Sequence, residues 1–164
     1  MKDVVEVNFV CLGNICRSPL AHGVFQNLVT RAGLDNKIIV SSAGTSSWHT
    51  GDLPDNRMRL TAQNKGIQLK NRARQFQSED FGRFDLVLAM DRFNLFELRK
   101  LAPKSISEDQ LMLFRTFDPQ SNGDLDVPDP YYGGERGFET VFQIVERTCP
   151  PLLKHIESHL LNTL

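Results

Sequence analysis

The residues of this sequence with the clearest chemical potential lie in the stretch VCLGNICRSP at positions 10–19. It contains two thiols, Cys11 and Cys16, and the guanidinium group of Arg17 follows the second thiol directly. Such a set can serve as metal ligands, as a redox-active cysteine pair, or as a nucleophile beside a cation that holds a phosphate group. The rest of the sequence discriminates among these three kinds of chemistry.

A metal site finds little support in the sequence. No second pair of cysteines or histidines completes a site with Cys11 and Cys16. The segment from Asp118 to Asp129 partly matches a calcium-binding EF-hand loop, with Gly123 at the sixth position. Its twelfth residue is Asp rather than Glu, however, and nearby prolines disfavour the flanking helices. We therefore expect no metal.

The phosphate-binding interpretation explains every residue type in the stretch. A loop between a strand and a helix N-terminus points backbone N–H groups at one spot, and the helix dipole adds positive potential there. Gly13 allows a tight backbone path, and Arg17 can bind a phosphoryl group with two parallel hydrogen bonds. The same field favours the thiolate form of Cys11, to which Ser18 can donate a hydrogen bond. The sequence lacks both G-x-x-x-x-G-K-[ST] and G-x-G-x-x-G, so we expect no nucleotide and no other cofactor.

The pattern of apolar residues predicts the elements that must position this loop. Alternation from Val5 to Phe9 predicts a first strand that ends near Cys11. Ser18 and Pro19 are typical of an N-cap and a first helical residue, and Gly33 is typical of a helix end. Further strands are predicted at 37–42, 84–90 and 110–114, with a loop at 118–134. Further helices are predicted at 53–66, at 91–102 with Asp91 as the N-cap, and from 135 toward the C-terminus. We expect Pro150 and Pro151 to bend or break the last helix.

Strands that alternate with helices predict an α/β fold. We expect one domain over residues 1–164, with three layers and a central four-stranded parallel sheet flanked by helices. The phosphate-binding loop then follows the first strand. Ligands of such folds bind outside the carboxyl ends of the strands, which is where the segment from Cys11 to Arg17 is placed.

Composition limits the partners and the compartment. The 19 Lys and Arg residues are balanced by 20 Asp and Glu residues, so the chain lacks the basic excess of a nucleic-acid or acidic-membrane binder. We find neither a signal peptide nor an apolar run of membrane-spanning length. Three cysteines do not make a disulfide framework and fit reduced thiols. We therefore expect a cytoplasmic protein that binds no nucleic acid and no membrane.

The stretch VCLGNICRSP resembles the phosphate-binding loop of the low-molecular-weight protein tyrosine phosphatases. The resemblance continues in order through SSAGT (41–45), RARQF (72–76), FDLVLAMD (84–91) and VPDPYYGG (127–134). It implies an enzyme that hydrolyses phosphotyrosine in proteins, and aryl phosphates, through a cysteinyl-phosphate intermediate. Cys11 would be the nucleophile, Arg17 would bind the phosphoryl oxygens, and Asp129 would be the general acid and base. Inorganic phosphate and vanadate are then expected inhibitors.

The assignment of Asp129 depends on this resemblance. A thiolate that attacks phosphorus needs an acid for the departing phenolate and later a base for water. Four aspartates of the loop could serve, and the residues alone leave the choice open: Asp118, Asp124, Asp126 and Asp129. Pro128 and Pro130 stiffen the backbone on both sides of Asp129, which agrees with the resemblance.

The resemblance also implies supporting roles for other residues. The phosphate-binding loop and its support comprise Leu12, Gly13, Asn14, Ile15, Cys16, Ser18 and Ser42. Aromatic walls that grip the substrate ring would be Trp48, Tyr131 and Tyr132. Cys16 is a candidate for reversible disulfide formation with Cys11, although a small buried apolar role is the alternative. Many relatives carry a histidine where Asn71 falls, and relatives that act on phosphoarginine tend to carry a threonine near Ile15.

Two other functions remain as alternatives. An arsenate reductase shares this fold and loop but needs further redox cysteines around residues 80–90, and the sequence has none between Cys16 and Cys149. A non-catalytic phosphate-binding module would not need a nucleophile, a clamp and an acid together. The sequence retains all three, as Cys11, Arg17 and Asp129.

Overall fold

A computed structural model describes residues 1–132 and 134–162, apart from the side chains of Tyr132 and Glu135. Its centre is a parallel sheet of four strands: β1 (Val5–Cys11), β2 (Ile38–Gly44), β3 (Leu86–Ala89) and β4 (Leu111–Leu113). The strand order is β2-β1-β3-β4, and every neighbouring pair is parallel. The predicted α/β fold with a four-stranded parallel sheet is therefore confirmed.

Helices cover both faces of the sheet and make the three layers. They are α1 (Arg17–Arg31), α2 (Asn56–Gln63), α3 (Arg92–Leu101) and α4 (Gly134–His159). On one face, Phe9 of β1 packs edge-on against Phe25 of α1 and against Phe114, with ring centroids 5.7 and 5.4 Å apart. On the other face, Val10 packs in a second cluster with Leu98 of α3. Alternation along β1 thus sends successive side chains into two separate cores.

The strand order determines where a ligand can bind. The chain leaves β1 toward β2 on one side, and β3 pairs with β1 on the other side. In a parallel sheet this reversal opens a crevice at the carboxyl ends of the two central strands. Cys11 is the last residue of β1, and Asp91 follows the end of β3 by two residues. Both therefore lie at the edge where that crevice opens.

The start of α1 differs from the prediction. The helix begins at Arg17 with Cys16 in the N-cap position, whereas the sequence suggested Ser18 as the cap. The hydroxyl of Ser18 is engaged with the preceding loop instead, at 3.0 Å from the sulfur of Cys11. Pro19 is tolerated at the third helical position because the first N–H groups of a helix have no partner within the helix.

The sequence predicted that Pro150 and Pro151 would bend or break the last helix, and a break is wrong. Both residues lie inside α4, which runs unbroken from Gly134 to His159. The missing N–H groups leave the carbonyls of Glu146, an exposed residue, and Arg147, a half-buried one, without their helical donors. The opposite face of α4 is buried on both sides of the prolines, at Val141, Val145, Cys149, Leu152 and Ile156. This packing outweighs the local cost.

Other element boundaries differ from the predicted ones by a few residues. The helix predicted at 53–66 is shorter at both ends and spans Asn56–Gln63. It begins where it does because Asp55 caps it by accepting a hydrogen bond from the backbone N–H of Arg57. The segment 118–129 has no long regular element, and a short 3₁₀ turn at Pro130–Tyr132 precedes α4. Among the residues described, no helix is both long and apolar enough to cross a membrane.

Candidate active site

The sulfur of Cys11 lies at the bottom of a pocket at the carboxyl edge of the sheet. The backbone N–H of Asn14 donates a hydrogen bond to it over 3.3 Å, and the hydroxyl of Ser18 lies 3.0 Å away. The sulfur thus has one backbone donor and one hydroxyl within hydrogen-bond distance, beside the N-terminus of α1. The pocket is lined by Cys11, Leu12, Gly13, Ile15, Cys16, Arg17, Trp48, His49, Asp129 and Tyr131.

The loop after Cys11 is held in an unusual shape by the side chain of Asn14. The φ angle of Asn14 is 57°, in the left-handed region, where a non-glycine residue pays about 1–2 kcal/mol. Its amide group donates to the hydroxyls of Ser18 and Ser42, at 2.8 and 3.1 Å, and its oxygen accepts from the backbone N–H of Arg74 at 3.1 Å. These hydrogen bonds offset the conformational cost and hold the loop in its shape.

The sequence placed the tight backbone path at Gly13, but the left-handed residue is its neighbour Asn14. Gly13 has a different reason to lack a side chain, because a Cβ atom there would lie 3.0 Å from Cδ2 of His49. Gly44, at the end of β2, is also required: a Cβ atom there would lie 2.8 Å from the carbonyl oxygen of Leu12. The close approach of β2 to the loop thus depends on a glycine that the sequence analysis did not single out.

Arg17 is oriented by two acceptors behind it. Its side chain is almost fully buried, and Nη1 donates to Oδ2 of Asp91 at 2.6 Å and to the carbonyl of Val127 at 3.0 Å. Burial works against the charge, but the neighbouring Cys11 and Asp91 raise the pKa of Arg17. The guanidinium group is therefore cationic and anchored at one end. Asp91 also caps α3 through Oδ1, which is the role the sequence predicted for it.

Asp129 faces Arg17 across the pocket. Its Oδ2 lies 3.6 Å from Nη2 of Arg17, and its Oδ1 accepts a hydrogen bond from the backbone N–H of Tyr131 at 3.0 Å. The other three aspartates of the loop are paired elsewhere: Asp118 with Arg115 and Arg147, Asp124 with Arg115, and Asp126 with Arg92. Among these four, Asp129 is the one that lines the pocket with Cys11.

Cys16 is buried in the pocket wall on the same loop as Cys11. Burial, together with the negative charges of Asp55 and Cys11, raises the pKa of Cys16. It is therefore a thiol rather than a thiolate at neutral pH and cannot compete with Cys11 as a nucleophile. Cys149 lies in the core of α4, where burial alone raises its pKa. All three cysteines are unpaired.

The rim of the pocket carries aromatic groups. Trp48 is 77% exposed and Tyr131 is 38% exposed, and both line the opening. The side chain of Tyr132, the third wall suggested by the sequence, lies outside the described residues. His49 was not predicted; it lines the same opening, with Nδ1 3.2 Å from Oδ2 of Asp52. Its position beside Trp48 in the chain was the available signal.

A second histidine was also missed. The ring of His22, from α1, lies with Nδ1 3.3 Å from the hydroxyl of Ser42, and the amide of Asn71 lies 3.2 and 3.1 Å from its two nitrogens. Burial lowers the pKa of His22 to about 4, so the ring is neutral at physiological pH. An imidazole therefore does belong to the network that supports Asn14, but it comes from position 22 rather than from position 71.

The described residues contain no group of three or more His, Cys, Asp or Glu side chains that could hold a metal ion. The arrangement of the pocket is that of an anion site with a thiol at its base, a guanidinium group on one side and a carboxyl group on the other. Such a site can bind a phosphoryl group, attack it with sulfur and exchange a proton with the departing oxygen.

Comparison with known proteins gives a consistent match. Residues 6–161 match the family described as low molecular weight phosphotyrosine protein phosphatase. A low molecular weight protein-tyrosine-phosphatase from Streptomyces coelicolor is 47% identical over 149 residues, which cover 90% of this chain and 91% of that protein. The human low molecular weight phosphotyrosine protein phosphatase is 42% identical over 150 residues, with 91% and 94% covered. A crystal structure of a protein tyrosine phosphatase from Entamoeba histolytica, with Hepes in the active site, has a TM-score of 0.89 at 39% identity and covers 96% of this chain and 99% of that one.

Proposed function

The chain belongs to the low molecular weight phosphotyrosine protein phosphatase family and is a phosphatase, and we propose that Cys11, Arg17 and Asp129 carry its reaction. The observation that supports this assignment best is the convergence of the three groups on one pocket. They come from the end of β1, the first residue of α1 and the loop before α4, so more than a hundred residues separate the acid from the nucleophile.

Substrate binding uses charge that is already in place. The phosphoryl dianion enters the loop of residues 11–17, where backbone N–H groups and the N-terminus of α1 face it. Nη1 of Arg17 is held by Asp91 and Val127, while Nη2 lies toward Asp129 at the pocket. Binding therefore does not require Arg17 to be ordered anew, which lowers the entropic cost of association.

The first chemical step transfers the phosphoryl group to sulfur. The thiolate of Cys11, stabilised by the N–H of Asn14 and the hydroxyl of Ser18, attacks phosphorus and forms the S–P bond. The bond from phosphorus to the aryl oxygen breaks, and its electron pair stays on that oxygen. Asp129 gives its proton to this oxygen, so that a neutral phenol leaves.

The second step returns the enzyme to its starting state. Asp129, now a carboxylate, takes a proton from a water molecule that attacks the phosphorus. The S–P bond breaks, inorganic phosphate is released and Cys11 is again a thiolate. Inorganic phosphate and vanadate should occupy the same loop and inhibit competitively, because they present the same oxygens to Arg17.

The walls of the pocket favour an aromatic phosphate ester. Leu12 and Ile15 line the pocket near the loop, and Trp48 and Tyr131 line its mouth. A phenyl ring between these groups buries apolar area on both faces and places its oxygen beside Asp129. The substrates we propose are proteins that carry phosphotyrosine. The free, buried thiols fit a reducing compartment, and we place the enzyme in the cytoplasm.

Replacement of the nucleophile tests this mechanism. Cys11→Ser should abolish turnover of 4-nitrophenyl phosphate in the presence of EDTA but should retain vanadate binding, because the loop and Arg17 remain. A serine hydroxyl is not ionised by this environment at neutral pH. Cys149→Ala is the matched control, since it removes a buried thiol of α4 that does not line the pocket. Appreciable turnover by pure Cys11→Ser protein would disprove the assignment of the nucleophile.

A further inference from the structure

A buried carboxylate lies at the start of the loop that carries Asp129. The side chain of Asp118 is 0% exposed and accepts hydrogen bonds from Arg115, from Arg147 and from the backbone N–H of Gln120, all between 2.8 and 3.0 Å. Burial alone would raise the pKa of Asp118, but these hydrogen bonds outweigh it and lower the pKa to about 2. The carboxylate is therefore charged at physiological pH and holds two arginines in place.

One of these arginines reaches the far end of the loop. Arg115 donates Nε to Asp118 at 2.8 Å and Nη1 to the carbonyl oxygen of Asp126 at 2.7 Å. Its side chain is 9% exposed, so both contacts are largely protected from water. The planar guanidinium group can make two such bonds at a fixed angle, which an ammonium group cannot do. Arg115 thus closes the loop between residues 118 and 126.

The carbonyl of Asp126 is next to the contacts that build the active site. The following residue, Val127, donates its N–H to the carbonyl of Met90 at 2.8 Å and accepts from Nη1 of Arg17 at 3.0 Å. Asp129 is two residues further along. A shift of this peptide would therefore move an acceptor of Arg17 and the backbone of Asp129 together.

We propose that Arg115, held by Asp118, is a positioning residue of the reaction: it fixes the peptide segment that presents Asp129 to the substrate and supports Arg17. The proposal rests on the function proposed above, because it requires Asp129 to act as the acid. Arg115 touches no substrate and acts through the backbone of residues 126–129. An arginine with a purely structural role would change the melting temperature but not the chemistry of the leaving group.

The test compares aryl phosphates whose leaving groups differ in basicity, at a temperature well below the melting temperature of each variant. With Arg115→Met we expect kcat on phenyl phosphate to fall by about 10- to 100-fold, the cost of misplacing a reacting group by about 1 Å. On 2,4-dinitrophenyl phosphate, whose leaving group needs no proton, the loss should be several times smaller. Leu152→Ala, in the core of α4, serves as a control that is destabilised without removing a hydrogen bond of the loop.

Asp129→Asn, measured in the same series, separates the two proposals. If Asp129→Asn shows no dependence on the leaving group, the assignment of the acid fails. If Asp129→Asn shows that dependence and Arg115→Met lowers kcat equally on all substrates, or not at all, the role of Arg115 is disproved alone. Arg115→Met added to Asp129→Asn should cause no further dependence on the leaving group, because both changes act on one step. Should Arg115→Met not fold, Arg115→Lys decides by the same criterion, since it keeps the charge beside Asp118 but not both hydrogen bonds.

Discussion

Replacing Asp129 with asparagine should remove the proton donor and leave the rest of the site in place. Asparagine has the same shape, and its oxygen can still accept the hydrogen bond from the backbone N–H of Tyr131, now 3.0 Å long. Arg17 loses a partner at 3.6 Å but keeps Asp91 at 2.6 Å and the carbonyl of Val127 at 3.0 Å. Since a partly exposed ion pair at such a distance contributes little, we expect only a small change in KM.

The effect should appear in kcat. General acid catalysis contributes about 10²- to 10⁴-fold, so kcat on phenyl phosphate should fall by that factor. The deficit should shrink as the leaving group becomes a weaker base, because a stable phenolate departs without a proton. Ionisation of the substrate also shapes the acidic limb of the pH profile. The diagnostic change is therefore in the basic limb of kcat/KM, which should flatten when Asp129 is absent.

The assay is steady-state turnover of a series of aryl phosphates between pH 5 and pH 9, at about 25 °C, the reference temperature for such free energies. Asp109→Asn is the charge-matched control, since it removes one exposed carboxylate that lies outside both the loop and the pocket. We expect it to retain the basic limb and the full kcat. If Asp109→Asn were as damaging as Asp129→Asn, or if the loss with Asp129→Asn were equal for all leaving groups, the reasoning would be refuted.

Three further predictions concern other parts of the site. Mild peroxide should inactivate the enzyme reversibly, because a disulfide forms between Cys11 and Cys16. The Cys16→Ser variant should be inactivated irreversibly. Equal recovery of activity by both proteins with dithiothreitol would exclude the disulfide. Asp91→Asn should raise the inhibition constant of phosphate by roughly 10- to 150-fold, because a hydrogen bond to the charged Arg17 is worth ~1.5–3 kcal/mol. It should not alter the dependence on the leaving group. The pKa of His22 is about 4 in the folded state and about 6.5 in the unfolded state. Between these pH values the unfolded state binds more protons than the folded state. Acidification from pH 6.5 to pH 4 should therefore lower the free energy of unfolding by up to roughly 3 kcal/mol. Urea unfolding at several pH values should show this slope, and His22→Asn should flatten it; an unchanged slope would place the proton elsewhere.

The parts of the structure that the sequence predicted well are those governed by local patterns. The alternation along β1, the apolar run from Leu86 to Ala89 and the cap at Asp91 each require only neighbouring residues. Together they place the phosphate-binding loop at the carboxyl end of a parallel sheet. The sequence alone did not distinguish Asp129 from the other three aspartates of the loop, so its assignment needed the resemblance. In the structure the other three form ion pairs with arginines, and these pairs form only in the folded chain.

The parts that the sequence did not predict depend on contacts between distant segments. Asp91 was recognised as a helix cap, but its second oxygen binds Arg17, 74 residues earlier. His22 meets the amide of Asn71 across 49 residues, and no local pattern indicates such a pair. The tight backbone path was assigned to Gly13, yet the left-handed residue is Asn14, whose side chain makes three hydrogen bonds there. In each case hydrogen bonds between segments that are distant in the sequence help to determine the geometry.

Arg17 links the binding of the anion to the carboxyl group that we propose as the acid. The chain as a whole has a formal net charge of −1, so recognition of a dianion must come from the site itself. Arg17 lies between two carboxyl groups, Asp91 at 2.6 Å and Asp129 at 3.6 Å, and of these two only Asp129 lines the pocket. Asp91 can therefore hold the guanidinium group from behind while its other side binds the dianion. In the mechanism that we propose, Asp129 gives a proton to the departing phenol in the first step and takes one from water in the second. The two carboxyl groups that flank Arg17 would thus have different tasks, because one faces the protein and the other faces the substrate.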